Sequence, residues 1–124
     1  MTMHPYFDLL DDIGVFRPIG EYSLQQAVQL ARDAIAHAKE LHLGKLLIVT
    51  TSLSGFDSPS LVARHLMARE LASAVAGTMT IAVVTHAEFI DPQKFGVTVA
   101  ANFGLVMDAF DSEDDAIAWL RSLK

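Results

Sequence analysis

The chain contains no cysteine, which excludes disulfide frameworks and thiol chemistry. Positive charge is scarce as well. Nine Lys plus Arg stand against fifteen Asp plus Glu, for a formal net charge of −6, and the basic residues are scattered singly. Nucleic acid and anionic membrane both need clustered cations to displace counterions, so neither is expected as a partner. No apolar run approaches the ~20 residues needed to span a bilayer, so no transmembrane segment is expected. The opening MTMHPYFDLLDDIG is acidic and lacks the basic flank and apolar core of a secretory signal. A cytoplasmic protein is expected.

Catalytic signatures are lacking too. There is no GxSxG, no Walker sequence and no GxGxxG, because the seven glycines stand too far apart. The histidines at 4, 37, 42, 65 and 86 form no HExxH and no ligand pair at one-turn spacing, and His37 and His42 are expected on the solvent side at the end of a helix. The run DSEDD at 111–115 is followed by Ala116 where a calcium loop needs glycine, and acidic residues in a first helical turn are explained by the helix dipole. Neither a metal nor a cofactor is expected.

What is present is apolar patterning. With 124 residues, 52% hydrophobic and 19% charged, the chain reads as one globular domain, 1–124, able to bury roughly two-thirds of its unfolded surface. Apolar runs at 6–10 and 13–19 flank Asp11-Asp12 as two strands flank a tight turn, and Pro18 makes the second end irregularly. From Leu24 to Ala38 apolar residues recur at i, i+3, i+4, and Ser23 and Gln26 have capping-box spacing. The runs 46–50 (LLIVT) and 80–85 (TIAVVT) are apolar on both faces, as covered central strands are. Helices are expected from Pro59 to about Ala76, from Asp91-Pro92 to a glycine cap at Gly104, and over 112–123 after a last strand at 105–110. Strands alternating with helices predict an α/β fold: a mostly parallel sheet of four or five strands, an antiparallel N-terminal edge and about four helices.

Within LSGFDSPSLVARHL, Ser58 precedes a proline that suits the first helical position, so its side chain is expected to cap the second helix. On that helix Ala63, Met67, Leu71, Ala74 and Val75 form the buried side, whereas Val62 and Leu66 fall toward the arc of His65, Arg69 and Ser73. Two apolar side chains among polar ones are either a partner-binding strip or scattered surface residues. Gly96 falls in the third helical segment, where glycine costs roughly 1 kcal/mol relative to alanine, so a neighbour is expected against its α-carbon.

Three segments in order resemble the STAS domain, the family of bacterial anti-sigma factor antagonists and of the cytoplasmic domains of sulfate transporters. IGEYS, with Gly20 and Glu21, is similar to the family's Gly-Glu-Leu-Asp before its first helix. KLLIVTTSLSGFDSPSL is similar to its buried strand, its loop and the Asp-Ser before its second helix, placing Asp57 and Ser58 on that pair. GLVMDAFDSEDDAIAWL is similar to its closing strand and helix. Pro59-Ser60 departs from the small residues that usually follow the Asp-Ser. The resemblance implies a non-enzymatic regulatory module that binds a protein, with Ser58 as the phosphorylated residue. Two functions follow as expectations. One is a protein-interaction module docking through the surface of residues 54–69, with Asp57, Ser58, Val62, His65, Leu66 and Arg69 at the contact. Its partner is a regulatory protein, with a homodimer also open. The other is a small hydrophobic ligand or lipid-binding domain, with a pocket between the second and third helices near Phe56, Phe89, Phe95 and Phe103.

Overall fold

The computed structural model of the protein describes residues 5–123. Its first two strands, β1 (Phe7–Leu10) and β2 (Ile13–Phe16), form the expected hairpin. Leu10 pairs with Ile13 across the two-residue turn, where Asp11 takes φ 55°, a left-handed conformation that Asp tolerates. The chain then passes buried Pro18 into a two-residue strand, β3 (Gly20–Glu21), and enters α1 (Leu24–Glu40). The capping box is formed in both directions: Gln26 N–H donates to Ser23 Oγ at 3.1 Å and Ser23 N–H donates to Gln26 Oε1 at 2.8 Å.

After α1 come β4 (Lys45–Val49), the short β5 (Leu53–Ser54), α2 (Leu61–Val75), β6 (Thr80–Val84), a 3-10 turn at Ala87–Phe89, α3 (Phe95–Asn102), β7 (Met107–Phe110) and α4 (Glu113–Ser122). The main sheet has the order β1-β2-β4-β6-β7, antiparallel only at the β1–β2 edge. This is the α/β architecture that the sequence predicts, with four helices and five strands in the main sheet. The sequence does not predict the second, two-stranded sheet, in which β3 runs parallel to β5.

Strand order explains the layering. From β2 the sheet grows in one direction, and right-handed crossovers that all advance the same way deliver their helices to one face. Leu46, Ile48 and Ile81 accordingly pack with Ala34, Ile35, Leu71, Val75, Val99 and Ala100 from α1, α2 and α3. The alternate residues Ile13, Val15, Leu47, Val49 and Val84 point to the other face, where Ala116 and Leu120 of α4 cover them. Each fully buried Val, Leu or Ile among them contributes about 1.5–3 kcal/mol, and each alanine less.

Helix ends follow local chemistry. Gly104 at φ 87° closes α3 in a Schellman arrangement, with Gly104 N–H bonded to the Ala101 carbonyl and Leu105 N–H to the Ala100 carbonyl. Three acidic residues occupy the first turn of α4, where Ser112 Oγ accepts from Asp115 N–H at 3.3 Å. Glu113 also receives Arg17 at 2.7 Å, and this hydrogen bond holds the guanidinium above its ordinary pKa against the opposing effect of partial burial. No helix among the described residues is long and apolar enough to cross a membrane.

His37 departs from expectation. It is buried at the end of α1, edge-on to Phe7 with ring centroids 4.6 Å apart. One residue before Ala38 and three after Ala34, it lies in phase with the buried stripe and β1 closes over it. His42, at φ 59° past the helix end, is exposed as expected.

Candidate functional site

The site lies where β4 and β6 end and α2 and α3 begin. Beyond β4 the chain stays tied to the sheet, because Thr50 donates both its N–H and its hydroxyl to the Val84 carbonyl, at 2.8 and 3.1 Å. His86 Nε2 lies 3.0 Å from the Thr51 carbonyl, which can only accept, so that nitrogen carries the proton. Tyr22 N–H donates to the Ser54 carbonyl at 2.8 Å and fixes β5 on β3. Gly55 then turns the chain outward at φ 103°.

Ser58 does not cap α2. The helix begins two residues later than expected, at Leu61, and its cap is Ser60, whose Oγ accepts from Ala63 N–H at 3.1 Å. Ser58 is exposed on the preceding loop, and its Oγ accepts instead from Arg64 Nη2 at 2.9 Å. The same Nη2 donates to the Phe89 carbonyl at 3.0 Å and Nε to the Pro59 carbonyl at 3.1 Å. Arg64 thus clamps the 58–59 loop to the 3-10 turn. A prediction separates the two serines: Ser60→Ala should cost about 1 kcal/mol in urea unfolding, as the loss of an N-cap does, whereas Ser58→Ala should stay within about 0.5 kcal/mol. Equal losses would contradict this assignment.

On α2, Leu61, Val62 and Leu66 are exposed at 60%, 71% and 54%. His65 is half-buried and Arg69 exposed, and the two meet a common neighbour, Phe103: His65 is edge-on to its ring at 6.2 Å and the Arg69 guanidinium lies 5.3 Å from its centroid. The buried stripe is Ala68, Leu71, Ala72 and Val75, while Ala63, Met67 and Ala74 are only partly covered. Asp57, like Ser58, is exposed on the loop.

Beneath this surface lies an apolar cavity of about 190 Å³, open to solvent on one side, between the sheet and the N-terminal halves of α1, α2 and α3. Phe16, Ile48 and Val83 of the sheet, Ala27 of α1, Met67 of α2 and Val97 of α3 are among the residues that enclose it. Arg64, Asp91 and Lys94 are the charged residues at its border. Of the four phenylalanines expected around a pocket between α2 and α3, only Phe56 and Phe89 line this one, with centroids 6.2 Å apart. Phe95 packs into the core, and Phe103 is half exposed at the far end of α3. Eight residues of helix separate the two ends by about 12 Å, so one pocket at the start of α3 cannot use both.

Gly96 likewise overturns its expectation. No atom lies within 4 Å of where its Cβ would stand, and the residue borders the cavity rather than a packed neighbour. It is also in the first turn of α3, whose entry is held by Asp91 accepting from Phe95 N–H at 2.7 Å, not in a helix interior. Arg64 is the functional candidate that sequence reasoning missed. Its spacing from Met67, Ala68 and Leu71, at i+3, i+4 and i+7, places a cation on the inward side of α2 and was the available signal.

The described residues contain no group of three or more His, Asp or Glu arranged to hold a metal ion. No family model matches the chain, and no curated protein matches its sequence. Among solved structures the chain is similar to the NMR structure of the protein TM1081, with a TM-score of 0.52 and 16% identity over 99% of this chain and 94% of that one, a likeness of fold.

Proposed function

We propose that the protein is a non-enzymatic, cytoplasmic regulatory module of the STAS kind that docks another protein through the loop at 54–60 and the first half of α2. The observation that carries this reading is the cluster of exposed apolar residues Leu61, Val62 and Leu66 on the helix that follows Asp57 and Ser58. Apolar side chains with a charged rim suit a docking face. Ser58 suits control of it: a phosphate there adds about −1.5 to −2 charges within reach of the Arg64 guanidinium, which already bonds the hydroxyl. The test is capture of partners from the native host by wild type, Leu66→Glu and Ser58→Asp. Leu66→Glu is expected to lose proteins that wild type retains, and Ser58→Asp to change the retained set. If both variants keep the wild-type set and circular dichroism, this surface is not the docking site. Reproducible turnover lost on changing Asp57 or His86 would overturn the non-enzymatic reading.

One observation favours a second reading, a domain that holds a small hydrophobic molecule. It is the open apolar cavity beside Phe56 and Phe89.

A further inference from the structure

We propose that the cavity takes a small amphiphile with one carboxylate head, its aliphatic tail of about eight carbons inside and its head against Arg64. The inference rests on the second reading above, and it shares Arg64 with the docking surface, where the same guanidinium meets Ser58.

Size comes first. An apolar cavity of about 150 Å³ takes up benzene, so 190 Å³ suits a tail somewhat larger than six carbons. Its wall is aliphatic and aromatic over most of its extent, which rewards an alkyl tail and penalises a polar one. Gly96 borders the cavity from the first turn of α3. An alanine Cβ there would meet nothing within 4 Å, so packing does not require glycine, and a longer side chain at this border is expected to obstruct the cavity.

The head group follows from charge. Lys94 Nζ is taken by Asp108 at 2.6 Å, and the Asp91 carboxylate accepts from the backbone N–H groups of Phe95 and Gln93. The helix starts are likewise closed by their own chain, α1 by Ser23 and α2 by Ser60. Arg64 differs from these groups. Three of its five N–H donors meet two carbonyls and a hydroxyl, all neutral, and none of its ion-pair distances to a described carboxylate falls within 4.0 Å. A guanidinium bordering an apolar cavity, with two donors on Nη1 that meet no acceptor among the described residues, is complementary to a carboxylate.

The test is calorimetric titration of wild type, Arg64→Gln and Gly96→Leu with octanoate, with 1-octanol as the tail without charge and with acetate as the head without tail. Wild type is expected to bind octanoate more tightly than octanol and to show no heat with acetate. Arg64→Gln should weaken octanoate roughly tenfold or more while leaving octanol unchanged, a split that a purely structural role of Arg64 would not produce. Gly96→Leu should abolish binding of both and remain folded. Octanol bound as tightly as octanoate by wild type, or both weakened alike by Arg64→Gln, overturns the head-group assignment and leaves a neutral-ligand cavity. Failure of both ligands to bind wild type overturns the ligand-binding reading with it, as does wild-type affinity in Gly96→Leu.

Discussion

Replacing Leu47 by alanine is expected to lower the stability of this protein by about 3–4 kcal/mol in urea unfolding. Leu47 is fully buried in the middle of β4, between Val15 of β2 and Ala82 of β6, on the face that α4 covers. Hydrogen-bonded neighbours hold that strand on both sides, so the sheet cannot collapse into the space that three lost carbons leave. The transfer and cavity terms therefore add. Leu61→Ala supplies the control: the same substitution at a residue 60% exposed should stay within about 0.5 kcal/mol. A loss below about 1.5 kcal/mol at Leu47 would mean that α4 does not pack on this face as described.

Gly55→Ala should be nearly as damaging, at about 3 kcal/mol, for a reason that has nothing to do with burial. The residue has φ 103°, a region that a side chain rarely adopts, and an added Cβ would overlap the Tyr22 carbonyl oxygen and come within 3.0 Å of the Tyr22 nitrogen. Backbone cannot swing aside as a side-chain tip can. The consequence is detachment of β5 from β3, and with it the loss of the anchor for Phe56, which lines the cavity, and for the Ser58 loop. Gly77 separates conformation from collision. It also has a positive φ, 75°, but no atom within 4 Å of its would-be Cβ, so Gly77→Ala should cost only about 1 kcal/mol. Amide exchange reads the mechanism directly: Tyr22 N–H, bonded to the Ser54 carbonyl, should lose protection in Gly55→Ala and keep it in Gly77→Ala. Equal costs at the two glycines would contradict the close approach.

Much of the architecture was legible because its causes are local. The α1 cap needed only Ser23 and Gln26 three residues apart, and the α3 stop needed only a residue able to take φ 87° at position 104. The second helix shows where such reasoning ends. Ser58 and Ser60 both precede an apolar stretch, and Pro59 fits a first helical turn on paper. Ser60 is the cap, with extended backbone at φ −65° and ψ 168°, while Ser58 is drawn to Arg64, a residue six positions on that also reaches Phe89. The competing partner comes from tertiary proximity, so no local template could rank the two serines. Phe95 and Phe103 failed as pocket residues for a related reason: helix period says which residues share a face, and the cavity's place was set by how three helices meet the sheet.

The sequence by itself determined the order of strands and helices, the antiparallel edge and the parallel interior, since apolar period, strand length and turn residues act over a few positions and each states its own structure. Tertiary structure decided the rest. The two-residue strands β3 and β5 are too short to carry a period and exist because Gly20–Glu21 and Leu53–Ser54 are brought side by side. His37 is buried because β1 lies over the end of α1, and Gly96 opens onto a void because α1, α2 and α3 leave space above Ile48 and Val83. These are properties of volumes and distances between segments far apart in the chain, and packing, unlike periodicity, has no expression in any short stretch of residues.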